Sequence, residues 1–255
     1  MASTPTTESQ NRDILDKIAE FRKGGQFTDF KLICDGVVFN VHKVIICSQS
    51  PVFLAACTGN FKESEESTYH LPDEMSFVVD KMIDYLYTGD YSDPTDKGPK
   101  DFNPKEQWDT MSPLQLHAKL FALGDKYDIP ELCDLTLEKY SKRAGEDNPF
   151  EYLDSLADVF FSPTIQNTAF KEAAVRIPRG YLGVRLQDES VRMKYDSVIT
   201  QVPEYANQLL LTFWELPYIH YCKLCEPNTP LWPTGGTCRK CRTYYKISRP
   251  RPAKQ

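Results

Sequence analysis

The sequence lacks the short motifs that mark several large classes of enzyme. It contains no GxxxxGK[ST] or GxGxxG loop for phosphate groups, no GxSxG nucleophile elbow and no HExxH metal motif. Histidine is scarce, and the four residues are far apart along the chain: His42, His70, His117 and His220. We interpret His42, which lies between a strand pattern and a helix pattern, as a structural hydrogen-bonding residue. We therefore expect a chain that is not an enzyme.

Long apolar runs and secretory features are also missing. No apolar run approaches ~18 residues, so we expect no membrane span. The first residues, MASTPTTESQNRD, contain no apolar segment typical of a secretory signal, and no Asn-x-Ser/Thr sequon is present. These features favour a reducing location, the nucleus or the cytoplasm or both. Disulfides are rare in such compartments, so the eight cysteines need another explanation.

The cysteines fall into two groups. Four are isolated among apolar residues and need no role beyond that of small buried hydrophobes: Cys34, Cys47, Cys57 and Cys133. The other four form two CxxC pairs, Cys222–Cys225 and Cys238–Cys241, with twelve residues between the pairs. This spacing can place four thiolates around one Zn²⁺ at ~2.3 Å. We predict a structural zinc site rather than a redox pair, which usually begins a helix in a larger α/β domain, or unstructured thiols.

Charge is distributed unevenly. The net charge is −6, yet from Pro217 onward eight Lys and Arg residues face a single acidic residue, Glu226. The C-terminal segment is therefore basic, with a charge of +7, and the preceding part carries −13. Such an asymmetry indicates two surfaces with different partners. Alternatively, the basic residues only keep a small metal module soluble.

The most informative stretch is Phe27–Glu63. Two runs that alternate at period 2 flank Asp35-Gly36, a pair that can adopt the positive φ angles of a hairpin turn. An apolar helix pattern follows at 44–47. Ser50-Pro51 then supplies a helix cap and first position, and Gly59 can end that second helix.

The order of these features resembles the BTB/POZ domain. Thr-Asp-Phe, strand, turn, strand, Val-His-Lys, apolar helix and Ser-x-Ser-Pro-x-Phe follow one another within 28–53. Residues 77–91 resemble the family's helix that ends in Tyr-Leu-Tyr-Thr-Gly, and residues 114–140 resemble its last helical pair. The resemblance implies an α+β fold, in which a small mixed sheet is flanked by helices.

The chain beyond this domain shows helical periodicity and then the cysteine pairs. An insertion rich in proline and charge predicts an exposed loop, in which Trp108 either docks back or marks a binding segment. The expected organisation is a tail and short helix at 1–26, the BTB/POZ domain at 27–142 with the loop at 92–113, a helical extension at 143–216, a zinc-ribbon-like module at 217–246 and a basic tail at 247–255. In BTB domains an added N-terminal helix often joins a dimer interface; alternatively, it packs on its own domain.

The resemblance also implies partner-binding residues. Family members that recruit cullin-3 carry a hydrophobic-x-Glu motif after the second short helix, where Phe61 and Glu63 stand in this chain. BTB transcription factors carry a buried Asp and a basic residue near the dimer interface, and Asp29 and Lys43 match those positions. Phe61 could instead close the local core, and Asp29 could instead cap the hairpin.

Two functions follow from these features. The first is a protein–protein interaction adaptor that forms a homo-oligomer through its BTB domain and acts as a substrate receptor for a cullin-3 ubiquitin ligase. The second is a nuclear, chromatin-associated or transcription-associated protein whose basic zinc module contacts nucleic acid. In that hypothesis Arg239, Lys240, Arg242 and Lys246 neutralise phosphates, while Tyr244 and Tyr245 stack on bases. One small zinc module offers few contacts to nucleic acid. Its short connection to the helical extension favours a structural role, as a lid on those helices.

Overall fold

The computed structural model describes residues 7–93, 111–146, 148–161 and 168–215, with short runs at 220–221, 230–231, 236–237 and 242–245. The elements of the first half, in chain order, are α1 (Thr7–Lys23), β1 (Phe30–Cys34), β2 (Val37–Val41), α2 (Lys43–Gln49), α3 (Pro51–Thr58), α4 (Lys62–Glu66), β3 (Thr68–His70) and α5 (Ser76–Thr88). Those of the second half are α6 (Pro113–Lys126), α7 (Pro130–Ala144), α8 (Pro149–Phe161), α9 (Thr168–Arg176), α10 (Arg179–Arg185), α11 (Glu189–Gln201), α12 (Pro203–Glu215), β4 (His220–Tyr221), β5 (Pro230–Leu231), β6 (Gly236–Thr237) and β7 (Tyr244–Tyr245).

The predicted hairpin is confirmed and forms part of a mixed three-stranded sheet. Asp35 and Gly36 have φ angles of 49° and 74°, and the first pair of the ladder is Cys34 with Val37. Both turn residues are therefore left-handed, as a tight hairpin that matches the strand twist requires. β3 pairs with the other edge of β1 in parallel, which gives the strand order β2-β1-β3.

The helical pair α2–α3 follows the predicted signals. The Ser50 hydroxyl accepts a hydrogen bond from the Phe53 amide at 3.1 Å, and Pro51 occupies the first turn. The same hydroxyl donates to the Tyr127 carbonyl at 2.5 Å, which ties the cap to the end of α6. Gly59 ends α3, as predicted.

Three helices differ from what the sequence patterns indicate. The polar composition up to about residue 12 predicts disorder, whereas α1 begins at Thr7. The acidic, serine-rich stretch at 64–67 predicts a bridge without helix, whereas α4 reaches Glu66 and Ser67, with a φ of 50°, ends it. No helical pattern covers 179–185, whereas α10 follows Pro178 there. α4 and α10 are short, and helices of this length depend on tertiary packing for their stability.

A first core lies between the sheet and α5, with inward-facing residues of α6 and α7 closing it. Its fully buried members include Phe30, Leu32, Phe53, Met82 and Leu120. The Ser112 hydroxyl accepts from the Gln115 amide at 3.3 Å, and the Gln115 side chain accepts from the Ser112 amide at 3.1 Å. This reciprocal capping fixes the start of α6, which with α7 is shared by both cores.

A second core lies on the opposite faces of α6 and α7. Its members are Leu114, Phe121, Tyr140 and Ala144 of α6 and α7, with Tyr152, Leu156, Phe170, Val191 and Tyr205 of the extension. The boundary predicted near residue 143 is therefore not a break in packing, since Ala144 is buried under the extension. The predicted helical extension stacked on the α/β core is observed.

The ends of the predicted loop insertion are held by a buried polar cluster. The Tyr91 hydroxyl and His117 Nδ1 lie 2.8 Å apart, and Asp93 Oδ2 lies 3.7 Å from His117 Nε2. Lys139 bonds the Asp90 carboxylate at 2.5 Å and the Tyr91 carbonyl at 2.6 Å. Burial lowers the pKa of His117 to about 4, so the imidazole is neutral near pH 7. The middle of the insertion, including Trp108, lies outside the described residues.

One carboxylate connects the two parts of the fold. Glu151 of α8 accepts from the Leu114 amide at 3.2 Å, from Arg143 Nη2 at 2.8 Å and from Asn148 Nδ2 at 3.0 Å. Its side chain is almost fully buried, and the pKa of Arg143 is raised chiefly by the hydrogen bond to Glu151. The carboxylate thus holds the start of α6, the end of α7 and the start of α8 together.

We predict that Glu151→Ala lowers the free energy of unfolding by about 3 kcal/mol, because it leaves a buried amide and a guanidinium without their acceptor. Glu146→Ala is the matched control, since Glu146 pairs with the same Arg143 at 2.7 Å on the exposed side. Its loss should cost less than about 1 kcal/mol. Urea unfolding of both variants measures the difference, and equal effects would contradict the role assigned to Glu151.

Candidate partner-binding surface

Phe61 is presented on the surface at the start of α4. It follows α3 by three residues and is 58% exposed. Its ring rests against Gly59, where an added Cβ would lie 2.5 Å from a ring carbon. A side chain at position 59 would collide with this ring and with the Ala55 carbonyl, so glycine permits the contact while the outer face of the ring stays exposed. Such exposure does not suit the alternative in which Phe61 closes the local core.

Glu63 lies in the first turn of α4 and is half-buried. A carboxylate there interacts favourably with the unpaired amides of the helix N-terminus. The Ser64 hydroxyl donates to the Cys57 carbonyl at 3.1 Å, which attaches α4 to the end of α3. The predicted pair, Phe61 and Glu63, is therefore held on a short helix that the sequence did not indicate.

Asp29 and Lys43 are brought together, but not as a charge pair. The Asp29 carboxylate accepts from the backbone amide of Lys43 at 2.7 Å and so caps the start of α2. The Lys43 ammonium lies 3.4 Å from the Ser67 hydroxyl and 5.4 Å from the centre of the Phe30 ring. Asp29 is exposed in the single chain, whereas the resemblance implies a buried Asp.

The N-terminal helix packs on its own domain. Ala19 joins the first core, and Arg22 of α1 pairs with Asp84 of α5 at 3.1 Å. The outer side of α1 carries exposed Ile14 and Leu15. Phe21 and Phe27 are also exposed and meet edge to face at 5.4 Å. These residues form an apolar surface beside the hairpin.

His42 has the structural role expected of it. Its Nε2 lies 2.9 Å from the Gln26 carbonyl, which can only accept, so Nε2 carries the proton. Its Nδ1 then accepts from the Tyr87 hydroxyl at 2.7 Å, and that hydroxyl accepts from the His42 amide at 2.8 Å. This network joins the end of α1, the start of α2 and α5.

The four isolated cysteines are free thiols, of which Cys34 and Cys57 are fully buried. Burial raises the pKa of Cys34 to about 11 and the pKa values of Cys57 and Cys133 to about 12. Thiols with such pKa values are weak nucleophiles at neutral pH. Cys47 also raises the pKa of Cys57, so these two thiols are close to each other in space.

A groove of about 610 Å³ opens between the α2–α3 corner and the turn from α6 to α7. We call it the acidic groove and define it by Pro51, Leu54, Tyr85, Asp128, Pro130 and Glu131. Tyr85 is buried at its base, and Leu54 is 46% exposed. Sequence reasoning missed this site because its walls come from separate segments. The available signal was the run of four carboxylates Asp125, Asp128, Glu131 and Asp134.

Short strand pairs flank the predicted zinc cysteines. Tyr221 pairs with Pro230, on either side of the stretch with Cys222 and Cys225. Thr237 pairs with Tyr244, on either side of the stretch with Cys238 and Cys241. The cysteines lie outside the described residues, as do Arg239, Lys240 and Lys246. Of the proposed nucleic-acid contacts, Arg242 is exposed, and Tyr244 and Tyr245 form β7.

The described residues contain no group of three or more His, Cys, Asp or Glu side chains arranged to hold a metal ion. Within the same parts of the chain, no helix combines the length and apolar character needed to cross a membrane.

Comparison with known families identifies the α/β part of the chain. Residues 18–143 match the model of the BTB/POZ domain. The match begins inside α1, earlier than the start at residue 27 implied by the sequence motifs. It ends with α7, so it includes the mixed sheet, the α2–α3 pair and the helices that close the first core.

Three relatives illustrate the similarity. The chain is 36% identical over 87 residues to Kelch-like ECH-associated protein 1A of Danio rerio, covering 32% of this chain and 14% of that protein. It is 31% identical over 86 residues to TD and POZ domain-containing protein 3 of Mus musculus, covering 34% and 24%. It is 23% identical over 186 residues to Kelch repeat and BTB domain-containing protein 2 of Pongo abelii, covering 73% and 26%.

The chain thus spans about a quarter or less of the length of these relatives. An alignment of 186 residues is long enough that it must continue past residue 143 into the helical extension. The family match, the mixed sheet and the confirmed hairpin and capping motifs agree on one assignment: residues 18–143 of this chain form a BTB/POZ domain.

Proposed function

We propose that this chain is a protein–protein interaction adaptor of the cullin-3 substrate-receptor type, with Phe61 as its apolar anchor. The BTB/POZ domain is a protein-interaction module, and we assign the chain no catalytic role. The observation that carries the proposal is Phe61 itself, a large aromatic side chain that is 58% exposed and packs against Gly59. It stands where BTB proteins that recruit cullin-3 carry the hydrophobic residue of their motif.

The geometry favours binding in two ways. The contact with Gly59 restricts the Phe61 ring before any partner arrives, so less rotamer freedom is lost on association. Glu63 lies two residues after Phe61, in the first turn of α4. The hydrogen bond from the Ser64 hydroxyl to the Cys57 carbonyl holds that helix in place. An apolar anchor beside a polar contact is the usual arrangement of an interface hot spot.

We predict that Phe61→Ala weakens binding to cullin-3 by about 2 kcal/mol or more, roughly thirtyfold, because a buried aromatic anchor is lost from the interface. Glu63→Lys should weaken it as well by reversing the charge of the polar contact. Isothermal titration calorimetry with purified cullin-3 measures both changes. Because Phe61 is mostly exposed in the free chain, the melting temperature should change little.

Two matched controls separate a local effect from a general one. Phe161→Ala removes a phenylalanine of equal exposure, 59%, from the end of α8. Glu65→Lys makes the same charge reversal two residues along α4. Both control variants should bind cullin-3 like the unmodified chain. Unchanged binding by Phe61→Ala and Glu63→Lys would exclude cullin-3 recruitment through this motif.

We also propose that the chain forms a homodimer through the apolar surface of Ile14, Leu15, Phe21 and Phe27. Phe27 is 80% exposed at a φ of 59°, a strained conformation for a bulky residue. Water-exposed aromatic rings clustered in this way favour burial against a second copy.

Sedimentation equilibrium should give twice the chain mass, and Ile14→Glu with Leu15→Glu should give the monomer mass. A monomer at micromolar concentration before substitution would contradict this proposal.

A further proposal concerns the metal. We propose that Cys222, Cys225, Cys238 and Cys241 hold one structural Zn²⁺. The described strand pairs support it, because each short ladder joins the residues on either side of one CxxC pair. Arg242, directly after Cys241, has a left-handed φ of 57°, which suits a tight reversal of the chain. When bound, the ion would supply folding energy to a segment too small to bury a core of its own.

We predict about one zinc per purified chain, measured by elemental analysis, as expected for a four-thiolate centre. Chelation at neutral pH should increase amide exchange at Tyr244 and Tyr245 while the protection of α5 and α6 is unchanged. Zinc should also be released as the pH falls, because protons compete for the thiolates.

Replacing one ligand by serine, as in Cys225→Ser, should lower the zinc content and have the same local effect as chelation. Cys133→Ser is the control, since Cys133 packs against the second core and belongs to neither CxxC pair. Its zinc content should be unchanged. Purified protein without zinc whose Tyr244–Tyr245 amides are equally protected would overturn the site.

A further inference from the structure

The acidic groove carries a negative charge that no described basic residue of its lining neutralises. None of its lining residues is basic. Asp125, Asp128, Glu131 and Asp134 follow one another around the turn, and none of them has an ion-pair partner among the described residues. Lys126, the basic residue of this turn, is engaged by Glu74 at 2.5 Å in a different groove. The site therefore favours a cationic occupant.

The groove is also lined by apolar side chains and one aromatic ring, beside the polar residues Ser48, Gln49 and Ser50. Pro51, Pro130 and the partly exposed Leu54 supply the apolar surface, and the buried Tyr85 supplies the ring. Burial raises the pKa of Tyr85, and the negative charges of Glu131 and Asp134 raise it further. These two carboxylates therefore lie close enough to the Tyr85 hydroxyl to influence its ionisation. A groove that combines aromatic, prolyl and acidic residues suits an extended peptide containing proline and arginine.

We propose that residues 246–255 of this same chain bind in the acidic groove. Their sequence, KISRPRPAKQ, contains Lys246, Arg249, Arg251 and Lys254 and no acidic residue. It is the chain's own most concentrated source of unopposed positive charge. Charge complementarity between this segment and the groove is the observation that selects the occupant.

The prolines prepare this segment for binding. Arg249 and Arg251 each precede a proline, which disfavours helix and favours an extended or polyproline II backbone. At ~3.1 Å of rise per residue, the two arginines stand about 6 Å apart along such a backbone. A peptide that is already extended loses little conformational entropy on binding. In the proposed complex the arginines pair with Asp128 and Glu131, and the prolines contact the apolar residues of the lining.

Binding of this segment requires neither cullin-3 nor dimerisation nor zinc, because the groove and the segment belong to the same chain.

The experiment places a photo-crosslinker in the full chain, as Ala253→p-benzoylphenylalanine, and maps the cross-linked peptides by mass spectrometry. We expect cross-links to the peptides of α2–α3 and the α6–α7 turn, within single chains and independent of protein concentration. Asp128→Asn with Glu131→Gln should lower their yield by about fivefold, as expected for losing two surface ion pairs. Asn also tolerates the left-handed φ of 53° at position 128.

Two matched variants complete the test. Glu189→Gln with Asp196→Asn neutralises two exposed carboxylates on α11 and should leave the yield unchanged. Arg249→Gln with Arg251→Gln should lower the yield as much as the groove variant does, and raising the salt from about 0.05 to 0.5 M should act in the same direction. Cross-links mainly to other surfaces, cross-links only between two chains, or equal yields for the groove and α11 variants would overturn the proposal.

Discussion

The two buried faces of α6 and α7 are the constraint on which the rest of the structure depends. Leu116 and Leu120 of α6 face the first core, while Leu114 and Phe121 face the second, and all four are buried. A helix that is apolar on both sides must be covered on both sides. The BTB/POZ domain therefore leaves one face of its last helical pair for the extension, and Glu151 satisfies the polar groups where the two parts meet.

Hydrogen bonds at the ends of helices hold the elements that carry the proposed binding surfaces. Asp29 caps α2, Ser50 caps α3 and bonds the end of α6, and Ser64 holds α4 to α3. These hydrogen bonds fix the elements that carry Phe61 and the acidic groove. Surface features on elements with satisfied ends need little rearrangement to bind, so the exposed side chains, rather than induced folding, determine which partners fit.

Local signals account for much of the fold, and their limits are physical. Asp35-Gly36, Ser50-Pro51 and Ser112-Pro113 each act through a few adjacent residues, so their turns and caps could be predicted. α4 has no apolar face of its own, and its stability comes from contact with α3 and β3. The exposure of Phe61 and the placement of Glu131 beside Tyr85 depend on segments far apart in sequence, which periodicity cannot reveal. The spacing of the cysteines is also a local signal. It identifies the four predicted zinc ligands but does not give their arrangement in space.

The distribution of ion pairs gives the uneven charge of the chain a structural meaning. Within the described residues, basic side chains engage Asp84, Asp158, Glu74, Asp90, Glu151 and Glu204, which lie where helices meet. These carboxylates stabilise contacts between helices. Because their charges are paired, they contribute little to the electrostatic field around the protein. The carboxylates around the α6–α7 turn have no such partner among the described residues, so their negative charge is available at the acidic groove. A negative site of this kind raises the local concentration of cationic segments and increases their rate of association, and both effects weaken with salt.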